Sequence, residues 1–294
     1  MRVPRYFAVR SLTFLCCGVL AVAISSRAQN GTVMGGAAQP GNAQEIDSHQ
    51  ADLRLYTDVQ RQTTENPEET AAYKAFYSAD EPAKKIEMGN AFLQKYPKSY
   101  LDEPVNVGLM NAYYSNRDWK NVYAAADRAL TMNPDDVYVL TTVGWLIPHV
   151  YQPDDPDAGK LLDTAEQDSK LAITLIPKMQ KPPHTNNDQF AAMKAQSAMR
   201  AHSALGLVYF RRGDFENSIK ELQQSTPSTS SPDATDLYVL GVDFQNLNRF
   251  ADAAGAYGRC GQIAGPMQAP CQQNADAAKG QAADAAKSQP AQSK

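Results

Sequence analysis

The chain has 294 residues, with 28 Lys and Arg against 32 Asp and Glu and a formal charge of −4. That length allows one or two domains with ample core. A mildly acidic chain without basic runs has no electrostatic footprint for nucleic acid or an anionic membrane, so neither is expected as a partner.

The first 28 residues read as a secretory signal. Arg2, Arg5 and Arg10 form a basic start, Ser11 to Ile24 (SLTFLCCGVLAVAI) is apolar, and Ser26-Arg27-Ala28 offers small residues for cleavage. The apolar core is shorter than the roughly 20 residues of a membrane helix. Cys16 and Cys17 lie inside it with no Ala or Gly before them, a poor site for lipid attachment. The expected mature protein starts near Gln29, is periplasmic or secreted, and does not insert into the membrane after cleavage. Without residues 1–28, which hold four Arg and no acids, 24 basic and 32 acidic residues remain, a charge of −8. Residues 29–50 begin QNGTVMGGAAQPGNAQ, the composition of a flexible linker.

From residue 51 to 271 the apolar residues recur at spacings of three and four, which predicts an all-α domain. Asp118-Trp119, Asp214-Phe215 and Asn248-Arg249-Phe250 sit in short polar breaks between such runs, so the unit is a helical hairpin. The hairpins restate one spacing. Leu109, Leu205 and Leu240 stand four residues before Tyr113, Tyr209 and Phe244. Twelve residues after Met110, Gly206 and Gly241 come Val122, Ser218 and Ala253, and seven further on Ala129, Ser225 and Cys260. Repeated positions are either large and apolar or small, a packing code in which small residues let two antiparallel helices approach.

The segment Leu237-x-x-Leu240-Gly241-x-x-Phe244 with Ala253, Tyr257 and Cys260 resembles the tetratricopeptide repeat. Pro134 and Pro177 are similar to that family's closing proline. The resemblance implies an α-solenoid of about five hairpins, near residues 67–98, 101–134, 137–177, 190–230 and 234–265, with a capping helix after them. Residues 272–294 would finish that helix and end in a low-complexity tail. Unit one departs from the pattern, with Tyr73 in the small slot and Lys85 in the alanine slot, and rests on Phe76 and the ending FLQKYP, which resembles units of envelope-assembly repeat proteins. In unit three the distance from Gly144 to Ala165 is 21 rather than 12, an insertion of nine residues around Pro148, Pro153 and Pro156. The prolines are expected to break the first helix and form a protruding loop. A second interruption, Pro177 to Gln189, is expected to divide the array into two blocks.

Catalytic motifs are missing from the sequence. His49, His149, His184 and His202 have no metal-ligand spacing, and no P-loop or G-x-S-x-G occurs. No cofactor is expected. Asp135-Asp136 and Asp154-Asp155 fall at turns and helix starts, where carboxylates cap free N–H groups. Cys260 and Cys271 are the only thiols left after signal removal, and export favours a disulfide between them, the alternative being two buried free thiols.

What the resemblance implies about function is binding of a protein or peptide on a concave surface lined by the first helix of each unit. The family's register, carried over, places Lys74, Tyr77, Asn111, Tyr114, Tyr138, Trp145, Leu207, Phe210, Arg211, Tyr238 and Gln245 on that surface. An exported, non-catalytic scaffold is the leading expectation, and a cell-wall glycan-binding module, with aromatic rings stacking on sugars, is the alternative.

Overall fold

The three short polar breaks form one turn, repeated. In the computed structural model, which describes residues 66–227 and 232–288, they are Asn116–Asp118, Arg212–Asp214 and Leu247–Arg249, each joining two helices. The middle residue of each is left-handed: Arg117 at φ 56°, Gly213 at 76° and Asn248 at 58°. The next amide donates to a carbonyl five residues back, Asp118 to Tyr113 at 3.0 Å, Asp214 to Tyr209 at 2.9 Å and Arg249 to Phe244 at 2.8 Å. This is the helix ending that satisfies orphan carbonyls through one left-handed residue. Asp118 and Asp214 then accept from the amides of Asn121 and Asn217, starting the second helix. Glycine adopts the left-handed conformation freely and arginine does not. Arg117→Gly should therefore raise stability by about 0.5–1 kcal/mol in a denaturant melt.

Eleven α-helices follow in order among the described residues: α1 (Pro67–Tyr77), α2 (Pro82–Lys95), α3 (Asp102–Ser115), α4 (Trp119–Met132), α5 (Val137–His149), α6 (Ala158–Leu175), α7 (Asn187–Arg211), α8 (Phe215–Ser225), α9 (Ala234–Asn246), α10 (Phe250–Cys260) and α11 (Gln268–Ser288). A 3₁₀ turn, Ile176–Lys178, follows α6, and no strand is present among the described residues. Each helix packs on the next, and α5 also packs on α7 and α7 on α9. No described helix is long and apolar enough to cross a membrane. The expected signal, the linker and the tail beyond residue 288 lie outside the described residues.

The small slots make the close approaches. A Cβ on Gly206 would lie 2.5 Å from Leu222 Cγ, and one on Gly241 would lie 2.6 Å from the Tyr257 ring. Both contacts are with the residue sixteen positions on, in the second helix of the same pair. A Cβ on Gly144 would lie 2.6 Å from Ser169 Oγ, which is sixteen positions plus the insertion of nine. Where the slot is large the partner position is small: Met110 is followed sixteen residues on by buried Ala126, and Tyr73 by buried Gly89. At each of these position pairs one member is small, which leaves room for two helices to approach closely. The remaining slots, Val122, Ala129, Ala165, Ser218, Ser225, Ala253 and Cys260, are all buried.

Unit three differs from expectation. The prolines do not break its first helix: α5 is a full 13 residues, with Pro148 in its last turn, where one lost hydrogen bond is least disruptive. The nine extra residues come after it. Five lengthen the loop at residues 150–157, compared with the three-residue breaks elsewhere, and four extend the start of α6 ahead of Ala165. Gln152 to Pro156 are exposed, so a protruding loop is present.

The core divides into two clusters, at α7 rather than at residues 177–189. α7 is 25 residues long, starts from an Asn186–Gln189 capping box, and packs against both α5 and α6 across the second interruption. Its Ala201 and Val208 join the cluster that runs from Tyr73 to Ala172, while Leu207 joins the one that runs on to Ala278. Arg212, in the turn after α7, pairs with Glu166 and at 2.6 Å with Asp163, tying that turn to α6. Burial acts to raise the Glu166 carboxyl, but Lys170 and Arg212 outweigh it and hold it below the usual carboxylate range.

Candidate functional site

Among the helices that carry the expected binding residues, α5 packs on α7 and α7 on α9, and one side-chain bond joins α3 to α5. Tyr138 of α5 donates its phenol proton to Asn111 Oδ1 of α3 at 2.8 Å. On α5 the Trp145 ring stacks on His149, one turn on, with centroids 3.8 Å apart. Arg200 of α7 lies over the outer part of this pair, 6.0 Å from the Trp145 centroid, and also donates to Thr142 Oγ1 at 3.4 Å. Arg211, at the end of α7, donates from Nε and a terminal nitrogen to the Pro148 carbonyl at 3.3 and 3.1 Å. The last carbonyls of α5 lack helical partners, so the guanidinium acts as a C-terminal cap supplied by a neighbouring helix. The same guanidinium sits 5.4 Å from the Tyr151 ring of the inserted loop and 5.8 Å from Phe210.

His149 is half-buried beside Trp145. Its Nδ1–H donates to the Trp145 carbonyl at 2.7 Å, which leaves Nε2 as the acceptor, buried and without a hydrogen-bond partner. Burial pushes the imidazole below its ordinary value, Asp233 acts in the opposite sense, and Arg211 and Arg200 add to the depression. The ring is therefore neutral, an apolar plate under Trp145. No group of three His, Cys, Asp or Glu placed to hold a metal occurs among the described residues.

The expected binding residues fall into three groups. Lys74 is exposed, and Tyr77, Asn111, Tyr114, Trp145, Phe210 and Arg211 are half-buried. Tyr114 and Phe210 each fold over their own turn onto the first residue of the next helix, with centroids 5.8 Å from Trp119 and 6.5 Å from Phe215. Leu207, at 1% exposure, is core and not surface, because α7 is covered on two faces where the register assumed one. Tyr138 and Tyr238 are also buried, the latter edge-on to Tyr257. Gln245 is engaged from both sides: it accepts from the Tyr257 phenol at 2.6 Å and donates to Gln281 of α11 at 3.0 Å. The capping helix thus lies against that end of the face.

Sequence reasoning missed His149, Arg200 and Tyr151. No metal-ligand spacing marks the first, Arg200 stands midway along α7 ahead of the repeated Leu205-Gly206 signal, and Tyr151 lies in the inserted loop. Of the paired acids Asp136 caps α5, accepting from the Tyr138 and Val139 amides, while Asp155 accepts from the Asp157 amide within the loop and α6 has no side-chain cap. Cys260 and Cys271 form a disulfide with Cα atoms 5.7 Å apart. A shallow cleft elsewhere is lined by Glu216, Ile219, Leu247 and Arg249. No protein-family model and no curated protein matches this chain.

Proposed function

We propose that the chain is an exported, non-catalytic scaffold of the tetratricopeptide type, one that holds an extended or helical apolar segment of another protein along the face shared by α3, α5 and α7. The observation that carries this reading is the direct packing of α5 on α7, with Asn111, Trp145 and Arg211 all engaged across first-helix boundaries. Helices in that relation turn equivalent positions toward one side, and aromatic and Arg side chains there are the types enriched at binding hot spots. The mixture is weakly basic in an acidic chain, which suits an apolar segment with some acidic character.

Capture from an envelope extract tests this. Wild-type protein should retain a discrete protein partner, and replacing Tyr114, Trp145 and Phe210 together by Ala should reduce capture at least tenfold. Because all three are half-buried, the triple variant should melt a few degrees lower while keeping its helical circular dichroism. A folded variant that still captures the partner would move the binding surface elsewhere, first to the loop at residues 150–157. Retention on cell-wall polymer with no protein partner would favour the glycan-binding alternative.

A further inference from the structure

α9 carries two buried carboxyl groups, Asp236 and Asp243, at 2% and 0% exposure. Both face serines in the small slots of α8. Ser218 Oγ lies 2.9 Å from the Gly206 carbonyl and 2.5 Å from Asp243 Oδ2. Ser225 Oγ lies 3.1 Å from the Leu222 carbonyl and 2.8 Å from Asp236 Oδ2. A serine has one hydrogen to donate. If the carboxyls were ionised, each serine could satisfy only one of its two neighbours and would leave two acceptors facing each other. With a proton on each carboxyl, the acid O–H donates to the serine and the serine donates to the carbonyl, so both short contacts become hydrogen bonds. Ser203 of α7 completes the first site by donating to Asp236 Oδ1 at 2.8 Å. Asp243 Oδ1 is buried with no hydrogen-bond partner, a modest cost for a neutral acid and a heavy one for a carboxylate.

The surroundings supply no compensating cation. On α9 itself the nearest influence on Asp236 is Asp233, of like charge. From α10 the group that feels Asp243 is the Tyr257 phenol. The charged groups of the packed helices are engaged elsewhere: His202 of α7 with Glu221 of α8, Arg249 with Asp252 and Arg259 with the Thr226 carbonyl from α10, and Asp276 with Lys279 on α11. Glu216 and Lys220 of α8 are exposed. Arg200 and Arg211 of α7 face α5.

From this geometry we infer that Asp236 and Asp243 are carried as neutral acids, and that ionising them loosens the seat of α9 on α7 and α8, so that pH controls how firmly the carboxyl-terminal helices dock. Burial raises both acids, to about 7 in each case, with Asp233 adding to the shift at Asp236. The folded values lie above the unfolded value of 3.8. The stabilisation is therefore complete below about pH 4 and is lost as pH rises to about 7, with the unfolding constant rising by about tenfold per pH unit for each acid.

The test uses the full oxidised chain. Denaturant unfolding from pH 4.5 to 8.5 should show the wild type losing stability across the lower part of that range. Asp236→Asn/Asp243→Asn, which keeps a neutral donor at each site, should flatten the profile and leave the variant more stable than wild type at pH 8. Independently, carboxyl carbon signals of the wild type should show two Asp titrating near neutrality, with amide exchange in α9 accelerating over the same range relative to α3 and α4. An undiminished slope in the Asn variant, or both carboxyls titrating near pH 4, overturns the inference. If the variant does not fold, the wild-type carboxyl titration decides alone.

Discussion

Gly241→Val should cost about 3 kcal/mol in a denaturant melt. The added Cβ would fall 2.6–2.7 Å from three atoms of the Tyr257 ring, and that ring has nowhere to go. Tyr257 is fully buried, its phenol is held by Gln245 at 2.6 Å, and Tyr238 stands edge-on at 5.6 Å between centroids. Gly206 gives a sharper form of the same experiment. Ala at Gly206 would press on the Leu222 side chain and come 3.2 Å from its backbone nitrogen, costing about 2 kcal/mol, and Leu222→Ala alone should cost about 3 kcal/mol through its cavity. The double variant removes the Leu222 side chain that the added Cβ would meet. It should be less destabilised than the sum of the two by about 1–2 kcal/mol. A purely additive double variant would mean that the sixteen-residue partnership is not what spaces the helices.

Reducing the disulfide, or replacing Cys271 by Ser, should release α11 and destabilise the last hairpin by about 2–3 kcal/mol. The reason lies in what α11 lacks. Of its 21 residues the buried ones are Cys271, Ala275 and Ala278, and two alanines supply little apolar area. Gln272 adds one polar tie, donating to the Gly261 carbonyl at 3.0 Å, and Gln281 another through Gln245. Proteolysis under reducing conditions should therefore cut within residues 268–288 first, while α1 to α6, in the other core cluster, remain protected. Two free thiols in protein isolated without reductant, or an α11 equally protected in Cys271→Ser, would contradict this.

The first helix pairs were legible because their signals are local. Apolar spacing, a polar break and an aspartate cap act within a few residues, and they place α3 to α4, α7 to α8 and α9 to α10 before any contact is known. The small slots were legible too, since a glycine or alanine recurring twelve residues before another small residue has few other uses. The candidate binding face was less so. Register put Asn111, Trp145 and Arg211 on first helices, where each makes a contact to another helix. It could not tell that Leu207 joins the second core cluster, that Tyr238 is buried edge-on to Tyr257, or that α11 returns to Gln245, because each depends on how neighbouring helices pack and not on spacing within one helix.

What the sequence by itself determined is the helical hairpin, its repeated turn and the alternation of large and small residues that sets helix spacing, all consequences of the 3.6-residue period and of backbone preferences at single positions. Only the tertiary structure decided how nine inserted residues divide between a loop and a longer α6, that α7, starting at the end of the segment that reads as a divider, packs back on α5 and α6 before it, and that Asp236 and Asp243 face serines rather than water. The physical reason is the same throughout: a residue's spacing fixes which side of its own helix it occupies, and the neighbouring helices fix whether that side is core, polar junction or open surface.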